Sequence, residues 1–269
     1  MRFLKRKGSS PARRRRIVFA PVTFSEESGI RYLHFGTEWI QGAMRLSAPD
    51  VIELEYAQQM MMGLLFAPDP RRAVQLGLGA GALTKFCFRN LPEAEVVAVE
   101  LNPDVVTAAR TMFRLPEDNA RLTVLQGDAQ DFVMDPVNHG AIDVLQIDLY
   151  DAAARGPVLD SEEFYRGCRM CLRAPGTVTV NLFGEHPSFA KNQKTLQAAF
   201  DGRVVILPEV HQGNRVAIAF EGPPLDVSFA DLYQRADEIG ARYGLPARSW
   251  VHGLRECGLR HTQGGRFRV

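Results

Sequence analysis

A chain of 269 residues with 46% hydrophobic and 23% charged positions can build a sizeable core, which excludes an intrinsically disordered protein. Its 32 Lys and Arg against 31 Asp and Glu leave a formal charge of +1, so no overall field draws it to nucleic acid or to a membrane surface. Every apolar run falls short of the roughly 18 residues a membrane helix needs. The basic start is not followed by the apolar stretch of a secretory signal, so a cytoplasmic location is expected.

Residues 1–16, MRFLKRKGSSPARRRR, hold eight Lys or Arg and no acid, a composition that predicts a disordered basic arm. From Ile17 to about Leu54 the runs RIVFAPVTF, IRYLHFG, TEWIQGAMRLS and VIELEY are short and alternating, with Gly29, Gly36 and Gly42 between them. They predict a small antiparallel β unit. Residues 55–67, EYAQQMMMGLLFA, read as a helix closed by Pro68-Asp69-Pro70, with Met60, Met61 and Met62 as core fillers. Strand and helix then alternate. AVQLGLG leads into ALTKFCFRNL, VVAVEL into PDVVTAARTMF, and RLTVLQGD into a short helix around AQDFVM. DVLQIDLY leads into SEEFYRGCRMCL, and TVTVNLF into HPSFAKNQKTLQAAF. RVVILPEV and RVAIAFEG follow with hairpin spacing through residues 211–214, and the remainder reads as helical with a frayed end at Gly264–Arg268.

Apolar character through VVAVEL and TVTVNLF marks strands buried on both faces, and alternating βα units build a doubly wound, mostly parallel sheet. The expected fold is a Rossmann-like α/β sheet ending in antiparallel strands, with a small β-rich N-terminal domain. Its expected divisions are the arm (1–16), the N-terminal domain (17–67) and a nucleotide-binding catalytic domain (68–269). Cys168 and Cys171 form a C-x-x-C pair inside a helical pattern with no second ligand pair, so core packing is expected rather than zinc, and no metal site is expected elsewhere. The six histidines show no ligand spacing and are expected in surface or capping roles at loops and element ends.

Ligands of open α/β sheets lie at the carboxyl ends of the strands. The first strand of the alternating series ends in Gly77-Leu78-Gly79-Ala80-Gly81, where glycine lets the backbone approach a ligand and turn into a helix. The second ends in Glu100, placed to accept hydrogen bonds from ribose hydroxyls. The third ends in Gly127, Asp128 and Ala129, where a carboxylate can accept from an adenine amino group. The fourth ends in Asp148, Tyr150 and Asp151. The four strand ends form a far more specific pattern together than any one of them alone.

This pattern resembles the spermidine synthase family, the polyamine aminopropyltransferases, over roughly residues 30 to 220. The resemblance is carried by VQLGLGAGAL, VVAVELNPDVV, LQGDAQDF, IDVLQIDLYD and GPVLDSEEFYRGCRMCL. It implies the class I S-adenosylmethionine-dependent transferase fold, a homodimer, and transfer of an aminopropyl group from decarboxylated S-adenosylmethionine to putrescine or a related amine. It also implies roles by position. Asp148 would be the general base and Asp151 its partner in holding the amine, Tyr56 would stand near the amine, and Tyr150 would line the same pocket. The chain departs from the family at Ala80, where the family has an aspartate that grips the donor's aminopropyl arm. Gln58 and Gln59 stand near a missing acid, and Ala152 replaces a frequent proline. Loss of the aspartate lifts a barrier to intact S-adenosylmethionine. Two alternatives therefore stay open: a methyltransferase on this scaffold, and a non-catalytic nucleotide-binding module.

Overall fold

The computed structural model of the protein describes residues 18–151, 156–184, 186–210 and 213–269. The basic arm, Ala152, His211 and Gln212 lie outside the described residues. The chain first forms an antiparallel sheet of β1 (Val22–Glu27), β2 (Ile30–Phe35) and β3 (Gly42–Arg45). VIELEY adds no strand to it. Ile52 instead anchors that segment in the core, and the chain passes into α1 (Glu55–Gln59) and a 3-10 turn over Met60–Leu65. Met60, Met61 and Met62 are buried there, as their apolar run predicts.

The alternating series follows as β4 (Arg72–Leu76), α2 (Ala82–Asn90), β5 (Glu95–Glu100), α3 (Pro103–Met112), β6 (Leu122–Gln126) and α4 (Ala129–Met134). It continues with β7 (Ile142–Ile147), α5 (Glu162–Cys171), β8 (Leu172–Phe183), α6 (Phe189–Ala199), β9 (Val204–Ile206) and β10 (Asn214–Glu221). These strands make one sheet in the order β6-β5-β4-β7-β8-β10-β9. β6 to β8 are parallel neighbours, and β10 inserts antiparallel between β8 and β9. The strand order reverses between β4 and β7, which opens a crevice at their carboxyl ends.

Two buried glutamines interrupt the apolar strands at the middle of this sheet. Gln75 of β4 and Gln146 of β7 face each other in register, and Gln75 Nε2 donates to Gln146 Oε1 at 2.9 Å. Gln146 Nε2 in turn donates to the carbonyl of Met60 at 3.1 Å, and Thr179 of β8 donates to the same carbonyl at 3.0 Å. Paired polar groups of this kind are directional where apolar contacts are not. They fix the 3-10 turn on the sheet and, through it, the position of α1 over the crevice.

The C-terminal part corrects two expectations. β11 (Asp226–Ser228), α7 (Phe229–Tyr243) and α8 (Ala247–Cys257) are followed by β12 (Thr262–Gln263) and β13 (Arg266–Arg268), and β13 pairs with both β11 and β12. The end is therefore not frayed. Phe267 is 0% exposed, with its ring against Phe66, Phe220 and Phe229, and burying such a side chain contributes about 1.5–3 kcal/mol, enough to hold a short strand in place. His252 stands within α8 rather than at an element end, ion-paired to Glu256 one turn on. Cys168 and Cys171 are buried with no disulfide, and burial pushes both thiols up, Cys171 to about 11. No helix among the described residues is long and apolar enough to cross a membrane.

Candidate active site

The glycine loop that leaves β4 is held by its neighbour strand. Gly77, Gly79 and Gly81 all have positive φ, at 94°, 51° and 68°. Only glycine adopts such angles readily, and the loop closes directly onto the N-terminus of α2. Glu100, at the end of β5, accepts from Leu78 N at 3.1 Å through Oε2 and from Asn102 N at 2.8 Å through Oε1. Burial raises its carboxyl above the ordinary value, and the surrounding backbone N–H groups pull it back toward ionisation. A carboxylate has about four lone-pair sites. Glu100 can hold the loop and still accept from two ribose hydroxyls.

Asp148 follows β7 directly, and its N–H donates to the carbonyl of Leu76 at 2.9 Å, which sets it beside the glycine loop. Its Oδ1 accepts from Asn181 Nδ2 of β8 at 2.9 Å, and its Oδ2 faces the Tyr56 hydroxyl of α1 at 3.4 Å. Burial is the larger influence and raises its carboxyl above the usual aspartate range, while these two donors work the other way. Tyr56 is pushed well above the ordinary phenol value by burial and by the nearby Asp148 charge, so its hydroxyl stays a donor. A carboxylate raised in this way is a better proton acceptor for an ammonium group than a solvated one.

These elements meet in one cleft of about 800 Å³. Of the residues singled out from the sequence, Gly77, Gly79, Glu100, Asp128, Ala129, Asp148, Tyr150, Asp151 and Tyr56 all line it. Gly81 lies just behind, capping α2 in the left-handed conformation, with Leu115 against its Cα. Asp128 caps α4, accepting from Gln130 N at 2.8 Å through Oδ1. Its second oxygen remains for a ligand. Asp151 contributes its backbone carbonyl to Gln41 Nε2 at 3.1 Å, which ties the loop before β3 to the loop after β7.

Ala80 is placed differently from the sequence expectation. It is 2% exposed, outside the cleft lining, in a cluster with Leu33, Met44 and Phe113. A side chain built on Gly42 would meet its Cβ at 2.7 Å. The methyl therefore faces β3 rather than the cleft. Gln58 and Gln59 also lie outside the lining. Gln58 donates to the Ile52 carbonyl at 2.7 Å, and Gln59 is buried.

A polyamine aminopropyltransferase of Chromobacterium violaceum is 34% identical over 235 residues, covering 87% of this chain and 89% of the relative. The chain belongs to the polyamine aminopropyltransferase family. A second polyamine aminopropyltransferase, from Neisseria meningitidis, is 32% identical over 88% of the chain and 90% of its own length. Residues 62–208, which hold β4 to β9, match the family model of an O-methyltransferase domain. Aminopropyl and methyl transferases thus have this part of the scaffold in common. The crystal structure of a probable spermidine synthase from Corynebacterium glutamicum superposes with a TM-score of 0.67 at 18% identity, covering 86% of this chain and 90% of that one.

Among the cleft-lining residues that sequence reasoning missed are Asn181, Glu38 and Trp39. Asn181 could have been found as the one amide in the apolar strand TVTVNLF, at the carboxyl end where ligands bind. Glu38 and Trp39, in the loop between β2 and β3, also line the cleft. Trp39 is 52% exposed and meets Phe183 edge-on at 6.3 Å between centroids, forming an aromatic rim. Nothing local in TEWIQ marks that role, because the rim exists only once β2, β3 and β8 have come together.

Proposed function

We propose that the chain transfers the aminopropyl group of decarboxylated S-adenosylmethionine to an amine. The observation that carries this reading is the environment of Asp148, a carboxylate raised by burial, held by Asn181 and Tyr56, and set beside the glycine loop at the switch point of the sheet. In this reading Glu100 holds the donor ribose. Asp128 and Ala129 lie at the adenine, and Gly77 and Gly79 let the backbone lie along the arm that carries the sulfonium. An amine is protonated at neutral pH and cannot attack until it loses a proton. Asp148 takes that proton, the nitrogen lone pair bonds to the CH₂ beside the sulfonium, and the C–S electron pair returns to sulfur, which leaves as a neutral thioether. Asp151 adds negative charge that draws a cationic acceptor to the cleft. Holding both partners in line supplies much of the rate.

A second reading is methyl transfer from intact S-adenosylmethionine, supported by the match of residues 62–208 to an O-methyltransferase domain. Calorimetric titration of the protein with each donor, followed by mass analysis of product with 1,4-diaminobutane, separates the two. Tighter binding of the decarboxylated donor and a product heavier by one aminopropyl group support the first. A methylated product with the intact donor overturns it. The reading includes a homodimer, which light scattering tests, and residence in the cytoplasm, which cell fractionation tests.

A further inference from the structure

Asp148 follows Ile147, which pairs with Val180 of β8, so Asn181 is the matching residue on the neighbouring strand. β10 pairs with Asn181 from the other side through Val216, and the sheet therefore fixes the backbone of this amide on both edges. Asn181 is 2% exposed, whereas Asp148 keeps part of its surface open to the cleft. The two carboxylate oxygens have different partners. Oδ1 accepts from Asn181 Nδ2 at 2.9 Å, and Oδ2 faces the Tyr56 hydroxyl at 3.4 Å, longer than an ordinary O–H···O bond. An amide nitrogen can only donate, but a hydroxyl donates or accepts as it turns. A proton placed on Oδ1 would therefore set donor against donor at Asn181. On Oδ2 it meets a hydroxyl that can turn to receive it, and Oδ1 stays an acceptor for Asn181 throughout.

We propose that Asn181 is a positioning residue that pins Asp148 Oδ1, which makes Oδ2 the atom that receives the proton of the acceptor nitrogen. One N–H bond of the ammonium group breaks, its proton goes to Oδ2, and the electron pair stays on nitrogen. The amine, once neutral, turns that pair toward the donor CH₂. Without the pin the carboxylate can rotate and offer either oxygen, so fewer encounters place the accepting atom at the amine. The titratable groups facing Asp148 are Tyr56 from α1 and Tyr150 from its own loop, and burial keeps both phenols protonated. From β8 it is met by the uncharged Asn181. Glu38, Glu100, Asp128 and Asp151 are the other carboxyl groups of the cleft lining. The inference rests on the aminopropyl reading for the identity of the acceptor as an amine.

The test follows kcat/KM with 1,4-diaminobutane across pH in the wild type, Asn181→Ala and Asn181→Leu, with donor affinity by calorimetry confirming an intact fold. Both variants lack the donor to ionised Asp148, so the fall of kcat/KM on the acid side should move to higher pH in each. On the plateau above it kcat should drop by on the order of 10²-fold, with KM for the diamine changing far less. A packing role would lower activity at every pH and leave the acid side in place, and Asn181→Leu, which refills the space, would then restore turnover. Either result overturns the inference. Should the variants fail to fold, the wild type decides. The side-chain amide signal of Asn181 in a heteronuclear NMR spectrum should shift with pH along the same acid limb, and a signal that stays constant overturns the pinning. A wild type inactive with every amine and either donor overturns the aminopropyl reading, and this inference with it. An active wild type whose variants keep the acid limb in place overturns the inference alone.

Discussion

The backbone carbonyl of Asp148 lies so close to the Cα of Gly77 that a Cβ on residue 77 would fall far inside van der Waals contact with its oxygen. The glycine loop and the candidate base thus touch through main chain, with no side chain between them. Their separation is set by the β4–β7 pairing, in which Leu76 faces Ile147, rather than by flexible groups. Gly77→Ala would add both this clash and a methyl at φ +94°, a strain of about 1–3 kcal/mol. The expected result is a lower Tm, weaker donor binding and loss of turnover together. Retention of turnover at a lowered Tm would show that the contact serves folding alone.

Asp148→Asn separates activity from stability. The folded carboxyl is raised above its unfolded value, so between the two values the folded chain holds a proton that the unfolded chain has lost. Stability falls as pH rises through that window, because ionising the buried Asp148 costs the folded state. The amide removes that cost and still offers an acceptor to Asn181. Transfer should fall by roughly 10²–10⁴-fold while Tm at pH 7 holds or rises and donor affinity is unchanged. In the wild type, kcat/KM should fall with decreasing pH at a value above the ordinary aspartate range. A Tm that drops sharply in the asparagine variant would show that the charge itself supports the fold.

Glu100→Ala removes the acceptor of both Leu78 N and Asn102 N and the expected ribose contact at once. Hydrogen bonds to a charged group contribute about 1.5–3 kcal/mol each, so the donor Kd should rise by one to two orders of magnitude. Calorimetry with S-adenosylmethionine and with adenosine alone checks this. An unchanged Kd for adenosine would remove Glu100 from the ribose and leave it as a brace for the glycine loop.

Much of this site was legible because strand ends are where sequence and ligand geometry coincide. Glu100 and Asp148 each close an apolar run, which is where a carboxylate stands out in the sequence. Asp128 was legible in position only, since the same residue also caps α4. What the sequence concealed depends on contacts between distant segments. Phe267 lies in a glycine- and arginine-rich tail whose composition suggests fraying, yet it packs on Phe66 and Phe220, far away along the chain. The insertion of β10 between β8 and β9 cannot be read from hairpin spacing, which leaves open which of two strands takes the inner place.

Ala80 illustrates the same limit and changes an expectation. A family comparison alone predicts that Ala80→Asp would favour the decarboxylated donor. In the structure its Cβ faces Gly42 within an apolar cluster, where an unpaired carboxylate would be buried without a partner. The expected outcome is destabilisation of about 1–3 kcal/mol or more, with little change in the ratio of the two donor affinities. Thermal unfolding and paired titrations measure both quantities. A clear shift of the ratio at unchanged Tm would mean that the loop turns residue 80 toward the cleft when donor binds.

Lys85 gives the fold a pH dependence at the alkaline side. It lies on α2, just beyond the glycine loop, and is buried with its Nζ donating to the carbonyls of Pro49 and Phe113 at 2.8 Å each. Those bonds join the helix that follows the glycine loop to the segment leaving β3 and to the end of α3. Burial lowers the lysine from 10.5 to about 8. Between these values the unfolded chain binds a proton that the folded chain has released, so stability rises with pH from about 8 to 10.5. The gain approaches about 3 kcal/mol, by the usual conversion of roughly 1.4 kcal/mol per pH unit. A neutral amine still has two N–H groups for the two carbonyls, so the bonds survive as the charge is lost. Urea unfolding of the wild type and Lys85→Met at pH 7.5 and pH 10 should therefore show the difference between them moving in favour of the wild type at the higher pH. A difference that stays constant would mean that water reaches Nζ and keeps the lysine charged.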